Sequence, residues 1–190
     1  MPHKFDPAHV ERLLSAERDR DVAPEKLLRE AGLEKGDAFA DIGCGPGFFS
    51  IPAAGIVGEE GVVYAVDSEE KMLERLRLRC PPANVIVLKS AESAIPLKDS
   101  SVDFAFLGYM LHETEDRAIF LKDVKRILKD GAKVLVLDWK KKREENGPPF
   151  EERITEEEVI GVMKAAGFED VKASALNESH YSITAVKGRQ

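Results

Sequence analysis

One run constrains this chain more than any other: Asp41-Ile42-Gly43-Cys44-Gly45-Pro46-Gly47, three alternating glycines between an apolar stretch and a second, longer one. Glycine reaches positive φ freely and carries no Cβ, so such a run makes a sharp turn whose backbone can be approached closely. Ala38 to Ile42 before it reads as a strand and Phe48 to Val57 after it as a helix. A chain that turns from strand into helix in this way builds βα units, with parallel strands buried under helices.

The rest of the chain keeps that alternation. After Pro24, Glu25 to Ala31 reads as a short helix stopped at Gly32. Val62 to Val66 is the second strand, and Ser68 is expected to cap a helix that runs toward Cys80 and is ended by Pro81-Pro82. Val85 to Leu88 and Val102 to Leu107 are the third and fourth strands. The next helix sets Phe120, Val124, Ile127 and Leu128 on one face and is expected to end at Gly131, before a fifth strand at Lys133 to Leu137. A charged loop covers Trp139 to Arg153. Thr155 and Glu158 form a capping-box pattern for a helix closing at Gly167. Val171 to Leu176 and Tyr181 to Lys187 are joined by a tight turn at Asn177 and Glu178, which makes the last strand antiparallel. The expected fold is α/β: a Rossmann-like, doubly wound sheet of seven strands, mostly parallel with an antiparallel last strand. One domain over residues 1–190 is expected, with residues 1–24 as a lid or cover.

Asp67 follows the glycine run by about 20 residues and ends the second strand, where a carboxylate can accept hydrogen bonds from both hydroxyls of a ribose. Taken singly, the glycines are also an ordinary turn and Asp67 an ordinary helix cap; together they point to one nucleoside site. The dinucleotide spacing is G-x-G-x-x-G, whereas Gly43, Gly45 and Gly47 alternate and Phe48 follows, which argues against a nicotinamide cofactor.

Through Asp41 to Gly47 the chain resembles the class I S-adenosylmethionine-dependent methyltransferases, whose first motif is an acid followed by x-G-x-G-x-G. The resemblance runs from about Leu27 to Val186. It implies S-adenosylmethionine as cofactor, with Asp41 at its methionine end, Gly43, Gly45 and Gly47 lining it, and Asp67 on the ribose. The segment Asp67-Ser68 to Met72-Leu73 looks like the family's ribose and adenine segment, in which Met72 packs on the adenine; helical periodicity serves a core methionine equally well. Ala91-Glu92 is similar to the segment that faces the adenine amino group, although Glu92 also reads as a solvated loop carboxylate. Phe106-Leu107-Gly108-Tyr109-Met110-Leu111-His112-Glu113 follows the fourth strand, where the family's backbone passes the methionine moiety and the acceptor.

A sulfonium methyl is already activated, so transfer needs a positioned nucleophile in a dry site and, where the acceptor carries a proton, a base. His112 is the candidate base, its ordinary pKa being near neutral; it serves equally as a cap or packing residue. Tyr109, Trp139 and Arg153 are the candidate substrate-facing residues, at the edge where open α/β sheets bind ligands.

Absent patterns narrow the acceptor. The N/D-P-P-Y sequence of base N-methylation is replaced by Leu107-Gly108-Tyr109-Met110, and Cys44 and Cys80 are too few and too distant for arsenite chemistry or a metal pair. Lys+Arg 28 against Asp+Glu 35 leaves a formal charge of -7, which opposes nucleic acid, and Lys140 to Arg143 are followed at once by Glu144 and Glu145. No apolar run reaches the roughly 18 residues a membrane span needs, and a cytoplasmic location is expected. The reading is thus a methyltransferase for a small-molecule acceptor, most similar to the ubiquinone/menaquinone-biosynthesis members. The alternatives are a non-catalytic S-adenosylmethionine-binding subunit or sensor and, further off, a nicotinamide-dependent oxidoreductase.

Overall fold

Successive residues of a strand point to opposite faces, and the central strands here are apolar on both, which requires cover on both sides. The computed structural model describes residues 13–91 and 94–189. Strands β1 (Ala38–Ile42), β2 (Val62–Asp67), β3 (Val85–Lys89), β4 (Val102–Gly108), β5 (Leu128–Trp139), β6 (Phe168–Ala175) and β7 (His180–Lys187) form one sheet in the order β3-β2-β1-β4-β5-β7-β6. The pairs among β1 to β5 are parallel, whereas β7 lies antiparallel to both β5 and β6. The expected sheet is therefore the observed one, with β7 as its single reversed strand.

On one face Phe39, Phe104, Phe106, Leu135 and Leu137 are buried under α2 (Pro24–Glu30) and α3 (Ser50–Val57), while Ala65 packs with Leu73 and Leu76 of α4 (Glu70–Leu78). On the other, Ala40, Ala105, Leu107, Val134 and Val136 pack against α5 (Arg117–Ile127) and α6 (Glu156–Ala165). A further short helix, α1 (Ala16–Val22), precedes α2 and is capped by the Ser15 hydroxyl accepting from Arg18 N–H. Residues 1–12 of the expected cover segment lie outside the described residues.

Two boundaries differ from expectation for physical reasons. Helix α5 stops at Ile127 rather than Gly131: Leu128 keeps the buried place its spacing gives it, but as a strand residue paired with Val102, so Gly131 (φ 78) lies inside β5. The buried face of α5 is Leu121, Val124 and Ile127, with Phe120 only partly covered. Ser68 does not cap α4; the residue before that helix is Glu69, whose N–H is taken by Asp67 Oδ1 at 2.8 Å.

The expected capping box is present: Thr155 Oγ1 accepts from Glu158 N–H at 3.2 Å and Glu158 Oε2 from Thr155 N–H at 2.7 Å. Replacing Thr155 by Ala removes the hydroxyl half and leaves the backbone N–H at that position to Glu158, and chemical denaturation is expected to show a loss of about 1 kcal/mol in unfolding free energy. An unchanged midpoint would mean that α6 is held by its buried Val159 and Met163 alone.

Candidate active site

The glycine run closes as a tight turn. Val66 O accepts both Gly43 N–H (2.8 Å) and Cys44 N–H (3.0 Å), and Gly47 N–H returns to Cys44 O at 3.0 Å. All three glycines have positive φ, but their surroundings differ. A Cβ on Gly47 would strike Leu76 Cδ1 of α4, and one on Gly43 would press on Met110 at 3.2 Å, whereas one on Gly45 would meet nothing within 4 Å. Gly43 and Gly47 thus let the loop pack, and Gly45 turns bare backbone toward open space, where a flat ligand can lie against it.

Asp67 meets this loop directly: its Oδ2 accepts Gly45 N–H at 2.8 Å while Oδ1 accepts Glu69 N–H. Burial pushes its pKa up, opposed by those backbone bonds. Each carboxylate oxygen retains a lone pair, enough for two ribose hydroxyls. Asp41 is 1% exposed and accepts Ser50 Oγ–H at 2.5 Å. Burial raises its pKa to about 7, so its contribution to stability falls as pH rises from the ordinary 3.8 to about 7. Met72 is buried on α4, Ser68 is half-buried beside Asp67, and Ala91 forms a one-residue bridge to Ala94 after β3. Leu107 is buried with its side chain in the core under α5, so only its backbone is available to a ligand. Glu92 lies outside the described residues.

At the neighbouring strand ends stands a pair that sequence spacing hides. His112, in a single 3-10 turn (Leu111–Glu113) after β4, is bonded through Nδ1 to Asp138 Oδ1 at 2.8 Å, and both are buried. A carboxylate only accepts, so Nδ1 carries the hydrogen and Nε2 the lone pair in the neutral ring. Burial lowers the His112 pKa, but the bond and charge of Asp138, with Glu113 and Glu152, outweigh it and the net shift is upward. Asp138 was legible as a pattern: an acid closes β1, β2 and β5 alike at Asp41, Asp67 and Asp138.

Tyr109 follows β4 at φ 58, a conformation rare for a non-glycine residue, and its ring sits against Trp139 and His180 at centroid distances of 5.8 and 5.2 Å. The Arg18 guanidinium of α1 stands 4.4 Å from the Phe48 ring and 4.9 Å from that of Tyr109, and among the described residues it forms no ion pair. Arg153 is used differently from expectation. It is 1% exposed, and its donors go to Pro148 O, Lys140 O, Asn146 O and Glu144 Oε2, with Trp139 against its face. It holds the 139–153 loop together from inside and has no donor turned to a cleft. Glu152 is a site residue that sequence spacing does not single out, Asp138 is visible in it only as the third strand-end acid, and Arg18 reads in it as either a lid residue over the cofactor or part of a solvated helix.

A methyltransferase domain model matches residues 40–136. The crystal structure of an S-adenosylmethionine-dependent methyltransferase from Aquifex aeolicus superposes with TM-score 0.91 at 36% identity, covering 96% of this chain and 99% of that one. Phosphoethanolamine N-methyltransferase 2 of Haemonchus contortus, in complex with S-adenosyl-L-methionine, shares the fold (TM-score 0.75, 17% identity, 90% of this chain and 53% of that one). A demethylmenaquinone methyltransferase of Staphylococcus aureus is 29% identical over 136 residues, 71% of this chain and 55% of that protein, so the chain spans about half the length of the curated relatives it matches.

Asp138→Asn tests the His112 pair. The ion pair stabilises fully below the ordinary His value of 6.5 and is lost as pH rises through the higher folded value. Proton NMR is expected to find the His112 ring titrating above 6.5 in the native chain and below it in the variant, where burial acts without the Asp138 charge. Equal titration in both would remove Asp138 as the cause.

Proposed function

The chain belongs to the methyltransferase domain family, and from that premise we propose that it moves a methyl group from S-adenosylmethionine to a small-molecule acceptor, with His112 as general base. The observation that carries the reading is the bond from Gly45 N–H to Asp67, which joins bare backbone and ribose-binding carboxylate in one cradle. The bound sulfonium supplies a methyl group already activated by its positive sulfur. The chain has then to bind, orient and keep water out.

Asp67 accepts the ribose hydroxyls, Met72 covers the adenine with Ala91 beside it, and Asp41 takes the methionine ammonium. Arg18, half-buried against two rings, meets the methionine carboxylate. His112 Nε2 receives the acceptor's proton, and Asp138 holds the imidazole and stabilises its charged form. Tyr109 and Trp139 line the acceptor's side.

Calorimetry with S-adenosylhomocysteine and, separately, 5′-methylthioadenosine tests the cradle. Asp67→Ala is expected to weaken both about 10- to 100-fold, through the loss of two hydrogen bonds at about 0.5–1.5 kcal/mol each. Arg18→Met is expected to weaken only the first, because the second lacks the amino-acid end. No binding of S-adenosylhomocysteine by the native chain would overturn the reading. In a methyl-transfer assay the rate is expected to rise with pH through the His112 titration and then level, and Asp138→Asn to move that limb to lower pH and slow turnover. Cofactor binding without turnover on any acceptor would favour a sensor.

A further inference from the structure

Among the described residues, four buried side-chain polar atoms have no hydrogen-bond partner: Tyr109 Oη, Asp138 Oδ2, Glu152 Oε2 and His180 Nε2. All four belong to one end of the sheet, at the close of β4 and β5, the start of β7 and the loop leading to α6. The charge of Asp138 acts on His112, Tyr109 and His180, that of Glu152 on His112, and that of Arg18 on Tyr109 and His180, so they form one cluster with Arg18 at its edge. A buried polar atom without a partner is costly, and such atoms gathered at a site mark places a ligand or water fills.

Their chemistry has one sense. Asn177 Nδ2 donates to Asp21 O, which fixes the amide, and Asn177 Oδ1 accepts from the backbone N–H of Ser179 and His180. The same oxygen faces His180 Nδ1 at 3.0 Å, so Nδ1 carries the hydrogen and Nε2 is left as a bare lone pair. His180 is 8% exposed and Asp138 1%. Three of the four orphans are therefore acceptors, two of them on carboxylates that no Lys or Arg pairs with among the described residues. A neutral polyol would satisfy the lone pairs but leave Glu152 without a cation, and Asp138 with one only while His112 is protonated. A cation bearing N–H donors satisfies both; Arg18 already stands over the Tyr109 ring and Arg153 against Trp139, so the carboxylates and the His180 lone pair are what would hold it.

We infer that this cluster is an acceptor subsite for a small primary or secondary amine, a reading that rests on the methyl-transfer function proposed above. The amine enters protonated and is held by Asp138 Oδ2, Glu152 Oε2 and His180 Nε2. One N–H proton passes to His112 Nε2, and the freed lone pair forms the N–C bond as the S–C bond of the sulfonium breaks, its electrons staying on sulfur. The products are the N-methylated ammonium, a thioether and a protonated His112.

The test uses the full chain saturated with S-adenosylhomocysteine, titrated calorimetrically with matched probes: benzylamine against benzyl alcohol, and putrescine against 1,4-butanediol. The amine of each pair is expected to bind at least tenfold more tightly, and Glu152→Gln and His180→Phe each to narrow that preference about tenfold while leaving S-adenosylhomocysteine affinity unchanged. Equal binding of amine and alcohol, binding of neither, or a preference untouched by both variants overturns the amine subsite. Because S-adenosylhomocysteine binding is measured first, its absence counts against the cofactor reading, and its presence with no amine preference against the subsite alone.

Discussion

A sheet buried on both faces has one place left for polar chemistry, the ends of its strands, and that constraint organises the whole molecule. Three strands of this sheet close on an aspartate there, and the three environments give three different groups. Asp41 is buried with one oxygen bonded to Ser50, and burial pushes it up to about 7. Asp67 is kept half-open by two backbone N–H donors. Asp138 is buried against an imidazole, one oxygen used and the other orphaned. One residue type in one topological position thus yields a carboxyl bonded to a hydroxyl, one held by two backbone N–H donors and one bonded to an imidazole, according to what the next element brings over it.

The glycine turn and its contact with Asp67 were legible because their parts are local. Strand, turn and helix around Asp41 to Gly47 are contiguous, and Asp67 follows within a single βα crossover, so periodicity and the glycine requirement for positive φ suffice. His112, Tyr109 and Trp139 were named from their place after the strands, but the pairing of His112 with Asp138 was not. His112 and Asp138 are 26 residues apart and meet only because β4 and β5 pair in parallel, with Gly108 opposite Leu137. Arg153 carries no signal that separates a cleft-facing guanidinium from one spent on carbonyls of its own loop. The misplaced end of α5 has a similar cause: Leu128 satisfies helical spacing and strand burial alike, and tertiary pairing with Val102 decides between them. Ser68 caps nothing because α4 starts one residue later, from Glu69 and without a side-chain cap, a boundary that propensity does not fix.

The cofactor side and the acceptor side meet in the N-terminal segment and Tyr109. Helix α1 carries Arg18 over the rings of Phe48, beside the glycine loop, and Tyr109, beside Trp139 and His180. The same helix offers Asp21 O to Asn177, and that bond orients the amide which fixes the His180 tautomer. One short segment therefore bears on a cationic group facing the cofactor side and on an acceptor atom facing the other side. Tyr109 stands between them at φ 58, and a non-glycine residue persists in that region only when its surroundings over-determine it. What holds it is the backbone bond of its N–H to Leu137 O at 2.7 Å together with ring contacts to Arg18, Trp139 and His180. Displacing α1 would remove the Arg18 contact and the tether on Asn177 together, so this one short segment bears on both sides of the strand ends.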